Sequence, residues 1–392
     1  MSYRKFRADY LFDGYKLLDG EQVLITDDQG RIERIVNYKE AGGDVEVLKG
    51  LISPGFINCH CHLELSHLKG RIPPGTGLVD FVFSVVNGRK TDPAEVQEAI
   101  RVAEAEMLTG GIVAVGDICN TADTLSRKSE KRLAWYNFIE IAGWLPNQAQ
   151  KRFTGGKALY DQFVKISPDE IHASICPHAP YSVSPELWDL LKTGFHQKTI
   201  TIHNQETAAE DEFFISAGGD LLRMYQMMKI SNPHFSATGK GSLANYLHRL
   251  RGAENLILVH NTYTSTADLD RAIAFSPDLF FCLCPNANLY IENRLPDIPA
   301  MIKGNGNLVI GTDSLASNHQ LSVLEEMKTI KKHFPQTDTA MLLKWATSNG
   351  ARALRFDDRL GDFKKGKQPG IVLTEHPEND LFGSKSFCRR LL

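Results

Sequence analysis

The 392-residue chain lacks long uncharged apolar runs, a strong charge imbalance and a high cysteine content. A membrane-spanning helix needs about 20 consecutive apolar residues, so the first absence predicts no such helix. The 44 Lys and Arg residues nearly balance the 47 Asp and Glu residues, which predicts neither a nucleic-acid partner nor binding to an anionic membrane. A small molecule is left as the expected partner.

Cysteine is scarce and scattered: the chain has seven, and five lie in or beside apolar runs of strand length. Cysteine there behaves as a small hydrophobic residue, and this usage favours a reducing compartment. Residues 1–20 also lack the apolar stretch and the small-residue cleavage site of a signal peptide. We therefore expect a cytoplasmic protein.

What the chain does contain is a β-rich pattern at both ends. Residues 10–48 alternate short apolar runs with Asp-Gly and Gln-Gly steps that are typical of hairpin turns. The residues from Leu360 onward have the same character. We predict a small β-sandwich domain built from residues 1–50 and 360–392, with residues 51–359 inserted as a second domain.

The middle of the chain holds eight apolar runs of strand length, most of them separated by helix-like stretches. The runs span residues 51–58, 112–118, 133–142, 171–177, 199–203, 256–261, 279–285 and 308–314. Two of the helix-like stretches, which begin at Ser184 and Ser265, each open with a serine N-cap and an acidic first turn. Eight strands that alternate with helices predict an α/β protein with a (β/α)8 TIM-like barrel. An open doubly wound sheet is the alternative, although no Gly-rich phosphate-binding loop follows the first run.

Polar side chains recur where these runs end. They are His60, His62, His178, His203, His260 and Asp313. All eight strand ends of a parallel barrel face the same side, which is where active sites lie. Chance would not place all six residues at the same end of their strands, so we expect them to converge on one site.

A divalent metal ion fits four of these residues. The four donors are His60, His62, His203 and Asp313. Three imidazoles and one carboxylate suit zinc or iron(II), and alternate residues of a strand point the same way. A thiol site at Cys59 and Cys61 is the rival interpretation, but no second cysteine pair stands in a ligand context downstream.

Glu206, three residues after His203, is the candidate proton carrier. A metal ion lowers the pKa of its bound water to about 7, and a nearby carboxyl group can carry protons to the leaving group. The alternative is that Glu206 only stabilises the N-terminus of the following helix. His260 is a candidate ligand, substrate polariser or structural histidine, of which we favour a catalytic role, and we expect His178 to contact substrate.

The order of these motifs resembles the amidohydrolase superfamily, in its cytosine-deaminase-like branch. The resemblance covers nearly the whole chain and rests on "PGFINCHCH", "PHAPYSVS", "IHNQE", "LVHN", "CPNAN", "GTDSLASN" and "ATSNGARAL". It implies one divalent ion held by the four donors named above. It also implies that Asp313 takes a proton from the attacking water, that Glu206 protonates a ring nitrogen, and that His260 steadies the water or the substrate.

The resemblance also bears on the number of ions and on assembly. Binuclear members carry a carboxylated lysine at the fourth strand, whereas "HASICPHAP" contains no lysine, so one ion is expected. Ala287 stands where the family commonly has serine, which concerns only a local substrate contact. Members are often dimers or larger, and a homo-oligomer is therefore expected.

The stretch "HLELS", which begins at His62, looks like the aminofutalosine deaminases of menaquinone biosynthesis. The likeness implies hydrolytic release of ammonia from an aminopurine nucleoside, 6-amino-6-deoxyfutalosine, with Glu64 facing the substrate; a plain loop carboxylate is the alternative for Glu64. Adenosine, methylthioadenosine, S-adenosylhomocysteine and guanine are the alternative substrates, and a chlorohydrolase or cyclic amidase is the alternative activity. Residues 213–247 are a candidate lid or specificity element, because loops on this face shape the pocket.

Overall fold

The computed structural model describes residues 3–166, 171–376 and 380–392, and both chain ends form a small β-sandwich. Its strands are β1 (Tyr3–Arg7), β2 (Tyr10–Phe12), β3 (Leu17–Asp19), β4 (Gln22–Asp27), β5 (Ile32–Asn37), β6 (Glu46–Val47), β7 (Leu51–Pro54), β16 (Ile371–Glu375) and β17 (Phe387–Arg390). The two sheets have the orders β5-β4-β1-β6 and β17-β16-β7-β2-β3. Apolar side chains of both sheets share one core, among them Phe6, Leu24, Ile52 and Leu373.

The middle of the chain is a (β/α)8 barrel. Its strands are β8 (Phe56–Cys61), β9 (Ile112–Cys119), β10 (Ala134–Ile141), β11 (Ile171–Pro177), β12 (Thr199–Asn204), β13 (Asn255–His260), β14 (Leu279–Leu283) and β15 (Asn307–Ile310). They pair in parallel as two half-barrels of order β11-β10-β9-β8 and β12-β13-β14-β15. Strands buried on both faces explain why the runs read as continuous apolar segments rather than as alternating ones.

Hydrogen bonds join the two half-barrels at both seams. Between β11 and β12, the hydroxyl of Ser174 donates to the carbonyl oxygen of Thr199 over 2.7 Å. Between the end of β15 and β8, the amide of Thr312 donates to the carbonyl oxygen of His60 over 2.9 Å. The second seam brings the chain after the eighth strand directly against the first strand.

Helices surround the barrel and also cover its mouth. They are α1 (Leu78–Gly88), α2 (Pro93–Thr109), α3 (Leu125–Lys128), α4 (Ala149–Ile166), α5 (Pro185–Leu191), α6 (Ala208–Ser216), α7 (Asp220–Met227), α8 (Ser242–Tyr246), α9 (Thr266–Phe275), α10 (Pro285–Glu292), α11 (Ile298–Lys303), α12 (Val323–His333), α13 (Thr339–Lys344) and α14 (Gly350–Ala353). A single π turn, Trp345–Asn349, joins α13 to α14. Short 3₁₀ turns span Tyr38–Glu40, Leu63–Leu68, Pro146–Gln148, Pro180–Ser182, Lys192–Gly194 and Leu247–Leu250.

Two of the predicted helix starts are confirmed in atomic detail. The Ser184 side chain accepts a hydrogen bond from the amide of Leu187 at the start of α5, and the Ser265 side chain accepts one from the amide of Asp268 at the start of α9. Such caps satisfy amide groups that have no partner within the helix. Short polar residues before an apolar helical pattern were therefore sufficient to locate these ends.

The single strand predicted over residues 51–58 is wrong. The structure has β7 and β8 instead, separated at Gly55, and β7 pairs with β16 and β2 of the sandwich. A Cβ atom at Gly55 would lie 2.2 Å from Cγ1 of Val113, so the chain can pass between the two sheets only where it has no side chain. The division into residues 1–50 with 360–392 and 51–359 stays a prediction, and its residues 1–2 and 377–379 lie outside the described residues.

Two other strands end earlier than predicted. Strand β14 ends at Leu283 and α10 begins at Pro285, whereas the prediction ran to 285. Strand β15 ends at Ile310, so Asp313 lies three residues beyond it rather than at its end. An apolar run marks burial, and burial continues into the loops that line a closed site, so periodicity alone cannot place these ends.

Within the described ranges, the helices are all too short or too polar to cross a membrane.

Candidate active site

The first two histidines converge at the carboxyl end of β8. Nε2 of His60 lies 3.2 Å from Nε2 of His62, and both rings are buried. Burial lowers the pKa of His60, and it lowers the pKa of His62 to about 3. Both imidazoles are therefore neutral at pH 7, which is the form that can donate a lone pair to a metal ion.

Asp313 completes this group from the loop that follows β15, the last strand of the barrel. Its Oδ1 lies 3.6 Å from Nε2 of His60 and 3.4 Å from Nε2 of His62. The hydroxyl of Ser317 donates to Oδ2 over 2.5 Å. Burial alone would raise the pKa of Asp313, but its hydrogen bond with His60 and the charges of His62 and His260 outweigh burial and hold the pKa well below its usual range.

His203 approaches from β12, in the opposite half-barrel. Its ring centroid is 5.0 Å from that of His60 and 5.5 Å from that of His62. Its Nδ1 is hydrogen-bonded to the backbone oxygen of His178 over 2.9 Å, so Nδ1 carries the proton and Nε2 keeps a free lone pair. Donor atoms of His60, His62 and His203 lie within 4.8 Å of one another.

The spacing of these donors fits a metal ion. Zinc is bound tetrahedrally at about 2.0–2.2 Å by nitrogen and oxygen, which corresponds to donor–donor separations of about 3.3–3.6 Å. The distances among Nε2 of His60, Nε2 of His62 and Oδ1 of Asp313 are 3.2, 3.4 and 3.6 Å. Donor atoms of His60, His260 and Asp313 also lie within 4.8 Å of one another, so His260 stands at the edge of the same group.

Glu206 lies beside His260 at this group. Oε1 of Glu206 is 3.5 Å from Nε2 of His260, and Nδ2 of Asn288 is 3.2 Å from Nδ1 of His260. An amide donor at Nδ1 leaves the ring proton on Nε2, where it faces the site. Burial and the charge of Asp313 raise the pKa of Glu206 well above its usual range, which favours the protonated form of its carboxyl group.

The backbone is strained where these residues leave their strands. Gln205, His260 and Asp313 have φ of 44°, 72° and 57°. Non-glycine residues occupy this left-handed region at a cost of about 1–3 kcal/mol each. Tertiary packing overrides that cost here and turns the three chain segments toward one point.

The two predicted substrate residues, His178 and Glu64, have different surroundings. His178 lines the cavity above the donor group, and burial lowers its pKa to about 4. Glu64 uses both oxygens inside the protein: Oε1 accepts from Arg89, and Oε2 accepts from the amides of Asn120 and Thr121. Direct contact of Glu64 with substrate stays a prediction, but the geometry favours an indirect role through Arg89, which does line the cavity.

A cavity of about 920 Å³ opens above the donor group. Its middle is apolar, with Trp144 stacked on Tyr225 at a centroid distance of 5.4 Å and Phe81 on another wall. Lys151 and Arg152 lie exposed at its mouth and form no ion pair within the described part of the chain. The cavity thus changes from carboxylates at its floor to apolar walls and then to cations at its rim.

Residues 213–247, the candidate lid, supply part of this wall. Met224 and Tyr225 of α7 line the cavity, as do Met228 and Ile230 after it. The hydroxyl of Tyr225 donates to the backbone oxygen of Tyr181. The alternative interpretation, a thiol site at Cys59 and Cys61, is not supported, because both side chains belong to the hydrophobic core.

Sequence reasoning missed several polar residues of the site. They are Arg89, Asn120, Glu140, Asn288 and Ser317. Glu140 is the only charged residue in the run over 133–142, and a carboxylate at the end of a barrel strand was a signal that could have revealed it. Asn288 and Ser317 stood in motifs noted for the resemblance, but only the fold shows which ring or carboxylate each contacts.

Comparisons with known proteins agree with this geometry. The sequence profile described as the amidohydrolase family matches residues 51–388. An adenosine deaminase of Helicobacter pylori is 26% identical over 328 residues, which cover 82% of this chain and 78% of that protein. An aminodeoxyfutalosine deaminase of Nitratiruptor sp. is 23% identical over 342 residues, covering 84% of this chain and 80% of the relative.

Among solved structures, H. pylori aminofutalosine deaminase in complex with methylthio-coformycin has a similar fold. Its TM-score is 0.83 at 21% sequence identity, and the superposition covers 99% of this chain and 100% of that one. At this identity the likeness shows the fold.

Proposed function

The chain belongs to the amidohydrolase family, and from this membership we propose that it is a metal-dependent deaminase of an aminopurine nucleoside, with 6-amino-6-deoxyfutalosine as the substrate. The observation that carries the proposal is the arrangement at the cavity floor. Imidazole and carboxylate donors at metal-binding separations lie beside Glu206, a buried carboxyl group whose pKa is raised by burial and by the charge of Asp313. Hydrolytic removal of an amino group from a ring requires both features.

We propose that one divalent ion, zinc or iron(II), is held at this floor. Its proposed ligands are His60, His62, His203 and Asp313. When bound, the ion supplies the Lewis acidity that makes water nucleophilic near neutral pH.

Three side chains are proposed to move or hold the protons of the reaction. Asp313 accepts the proton of the attacking water, Glu206 gives its proton to the ring nitrogen next to the reacting carbon, and His260 donates from Nε2 to the oxygen that adds. The bond between carbon and oxygen forms, the bond between carbon and the amino nitrogen breaks, and the proton held by Asp313 leaves with that nitrogen as ammonia. The remaining proton of the added oxygen passes to Glu206, which restores its acid form and leaves the ring with a carbonyl group.

The shape and charge of the cavity support a nucleoside larger than adenosine. Its volume of about 920 Å³ is near the upper end of the roughly 300–1,000 Å³ of ligand pockets. The apolar walls suit an extended substituent on the ribose side, and Lys151 and Arg152 at the mouth suit an anionic end on that substituent. His178 and Arg89 are proposed to contact the nucleoside between floor and mouth.

Ammonia release by the metal-analysed protein tests the proposal. The panel comprises 6-amino-6-deoxyfutalosine, adenosine, methylthioadenosine, S-adenosylhomocysteine and guanine. We expect the highest kcat/KM with the first compound. Faster turnover of another amine would keep the mechanism and reject this substrate, whereas chloride or a new carboxylate as the product would indicate a different hydrolase on the same scaffold.

The cations at the mouth provide a matched test of substrate size. Lys151→Ala and Arg152→Ala should each raise KM for the large substrate several-fold and leave KM for adenosine unchanged, because adenosine does not reach them. Lys157→Ala, on the same helix and not lining the cavity, serves as control. Equal effects on both substrates would reject an anionic group at this end.

We further propose that the enzyme acts in the cytoplasm and assembles as a homo-oligomer such as a dimer. All seven cysteines are free thiols, which supports a reducing compartment. Light scattering coupled to size-exclusion chromatography tests the oligomeric state, and a monomer at micromolar concentration would reject it.

A further inference from the structure

We infer that Glu140 is a positioning residue for His203, fixed in turn by a hydrogen-bond network that begins at Glu64. The inference rests on the metal site of the proposed function. Glu140 is a buried carboxylate that takes part in none of the proposed proton transfers, and the inference gives it a role. The inference also connects Glu64, in "HLELS", to the metal site through hydrogen bonds instead of through contact with the substrate.

The first observation is the contact between the two side chains. Oε1 of Glu140 lies 3.4 Å from Nδ1 of His203, and the two side chains are only 6% and 8% exposed. The same nitrogen is hydrogen-bonded to the His178 backbone oxygen, so it is Nε2 that stays free to bind an ion. A carboxylate beside Nδ1 stabilises the positive charge that the ring gains when Nε2 donates to a cation, and it restricts rotation of the ring.

The second observation is that Glu140 is itself held in place. Nδ2 of Asn120 donates to Oε2 of Glu140 over 3.0 Å, and Oδ1 of Asn120 accepts from Arg89 over 2.8 Å. Arg89 donates from its other terminal nitrogen to Glu64 over 2.8 Å. The network therefore runs from Glu64 through Arg89 and Asn120 to Glu140, and from there to His203.

The charge of Glu140 is consistent with this role. Burial would raise its pKa, but the neighbouring His178, His203 and His62 outweigh burial and lower the pKa to about 2. Glu140 is thus an anion across the physiological range.

The structure also separates Glu140 from a ligand role. Donor atoms of Glu140, His178 and His203 lie within 4.8 Å of one another, which by distance alone could suggest a second ion. Nδ1 of His203 is the atom nearest to Glu140, and its proton is committed to the backbone oxygen of His178. A protonated nitrogen has no lone pair to offer, so the contact orients the ring instead of binding an ion.

Metal retention measures this role directly. Wild type, Glu140→Gln and Asn120→Ala are loaded with zinc, and the rate and equilibrium of zinc transfer to a chelator are followed alongside kcat and KM. We expect Glu140→Gln to weaken zinc retention about 10- to 100-fold, the range found when such supporting partners are removed, with KM near the wild-type value. Asn120→Ala should have a smaller effect, and the double variant should match Glu140→Gln alone because both act through one contact.

Glu104→Gln is the matched control. Glu104 is fully buried and paired with Arg127 and Arg132, so the substitution removes a buried anion outside the cavity lining. It should lower stability without changing zinc retention. Circular dichroism of the zinc-free proteins establishes that each variant is folded.

The possible outcomes distinguish a failure of the role inferred for Glu140 from a failure of the proposed metal site. Zinc retention of Glu140→Gln equal to wild type would reject the inference, and a raised KM at unchanged retention would assign Glu140 to substrate contact instead. If the wild-type protein itself takes up no metal, the proposed function fails, and the inference fails with it. Folded Asn120→Ala with weakened retention would support the network even if Glu140→Gln did not fold.

Discussion

Glu206 shows how surroundings decide what a single residue can do. A glutamate in water is ionised at neutral pH and cannot donate a proton. Burial and the nearby charges of Asp313 and Glu210 favour the neutral carboxyl group, so the same residue becomes an acid. Its distance of 3.5 Å from His260 places it beside the proposed metal site.

Glu206→Gln should abolish turnover and leave metal binding intact. The amide keeps the shape of the side chain but has no proton to give, so we expect kcat to fall by at least about 100-fold, the lower range for loss of an acid–base group. Metal content and kcat are measured on the same preparation. Glu212→Gln, an exposed position on α6, the helix that follows Glu206, is the control, and normal activity of the Glu206→Gln variant would contradict the assignment.

The raised pKa of Glu206 also predicts a loss of activity in alkali. The proton is present below the folded-state pKa and is lost as pH rises through it, so kcat/KM should fall on the alkaline side. The profile is measured with the fastest substrate from neutral pH upward. The residual activity of Glu206→Gln should show no such fall in kcat/KM at high pH. A fall with the same midpoint pH in the variant would mean that another group is responsible for the pH dependence.

At the scale of elements, helix α7 and the loop after it form part of the cavity wall, and we expect them to limit the size of the substrate. Tyr225 of α7 stacks on Trp144, which stands just after β10. The indole nitrogen of Trp144 donates to Asn232 over 2.7 Å. Residues 213–247 are therefore tied to the barrel wall through an aromatic pair and a hydrogen bond, and they form part of the pocket rather than a separate flap.

Tyr225→Ala should raise KM for the large substrate about 10-fold or more. The substitution removes a buried ring that lines the cavity and packs on Trp144, and aromatic pairs add about 0.5–1.5 kcal/mol beyond area burial. Adenosine, which fills only the inner part, should be affected less. The exposed neighbour Gln226→Ala is the control, and a fall in kcat at constant KM would place Tyr225 in the chemistry instead.

At the scale of the whole molecule, the proposed metal ligands come from both half-barrels. His60 and His62 stand on the sheet of β8, whereas His203 stands on the sheet of β12 and Asp313 follows β15. An ion bound by all four would join the two sheets across the barrel mouth. Metal binding and global stability are therefore coupled.

Removal of the metal should lower the melting temperature. A ligand that binds only the folded state adds about 2.7 kcal/mol at a free concentration of 100 times its Kd. Calorimetry with zinc and after chelation measures the difference. His203→Ala should melt at the same temperature under both conditions, and a wild-type protein that is indifferent to zinc would contradict the proposed site.

The fold was predicted well for those elements that the order of buried segments along the chain is enough to identify. Eight apolar runs that alternate with helical patterns predicted the barrel, and serine caps located α5 and α9. The prediction failed at Gly55, where one apolar run serves two sheets. Periodicity reports that a segment is buried and does not report which sheet it joins.

The sequence by itself determined the barrel, the sandwich at the chain ends and the residues that end the barrel strands. These follow from local pattern and from the rule that parallel strand ends face one side. Only the tertiary structure decided that Glu140 lies against His203, that Glu64 is enclosed by Arg89 and the chain after β9, and that the pKa of Glu206 is raised. Contacts and pKa values depend on distances between residues far apart in the chain, and those distances exist only once the barrel has closed.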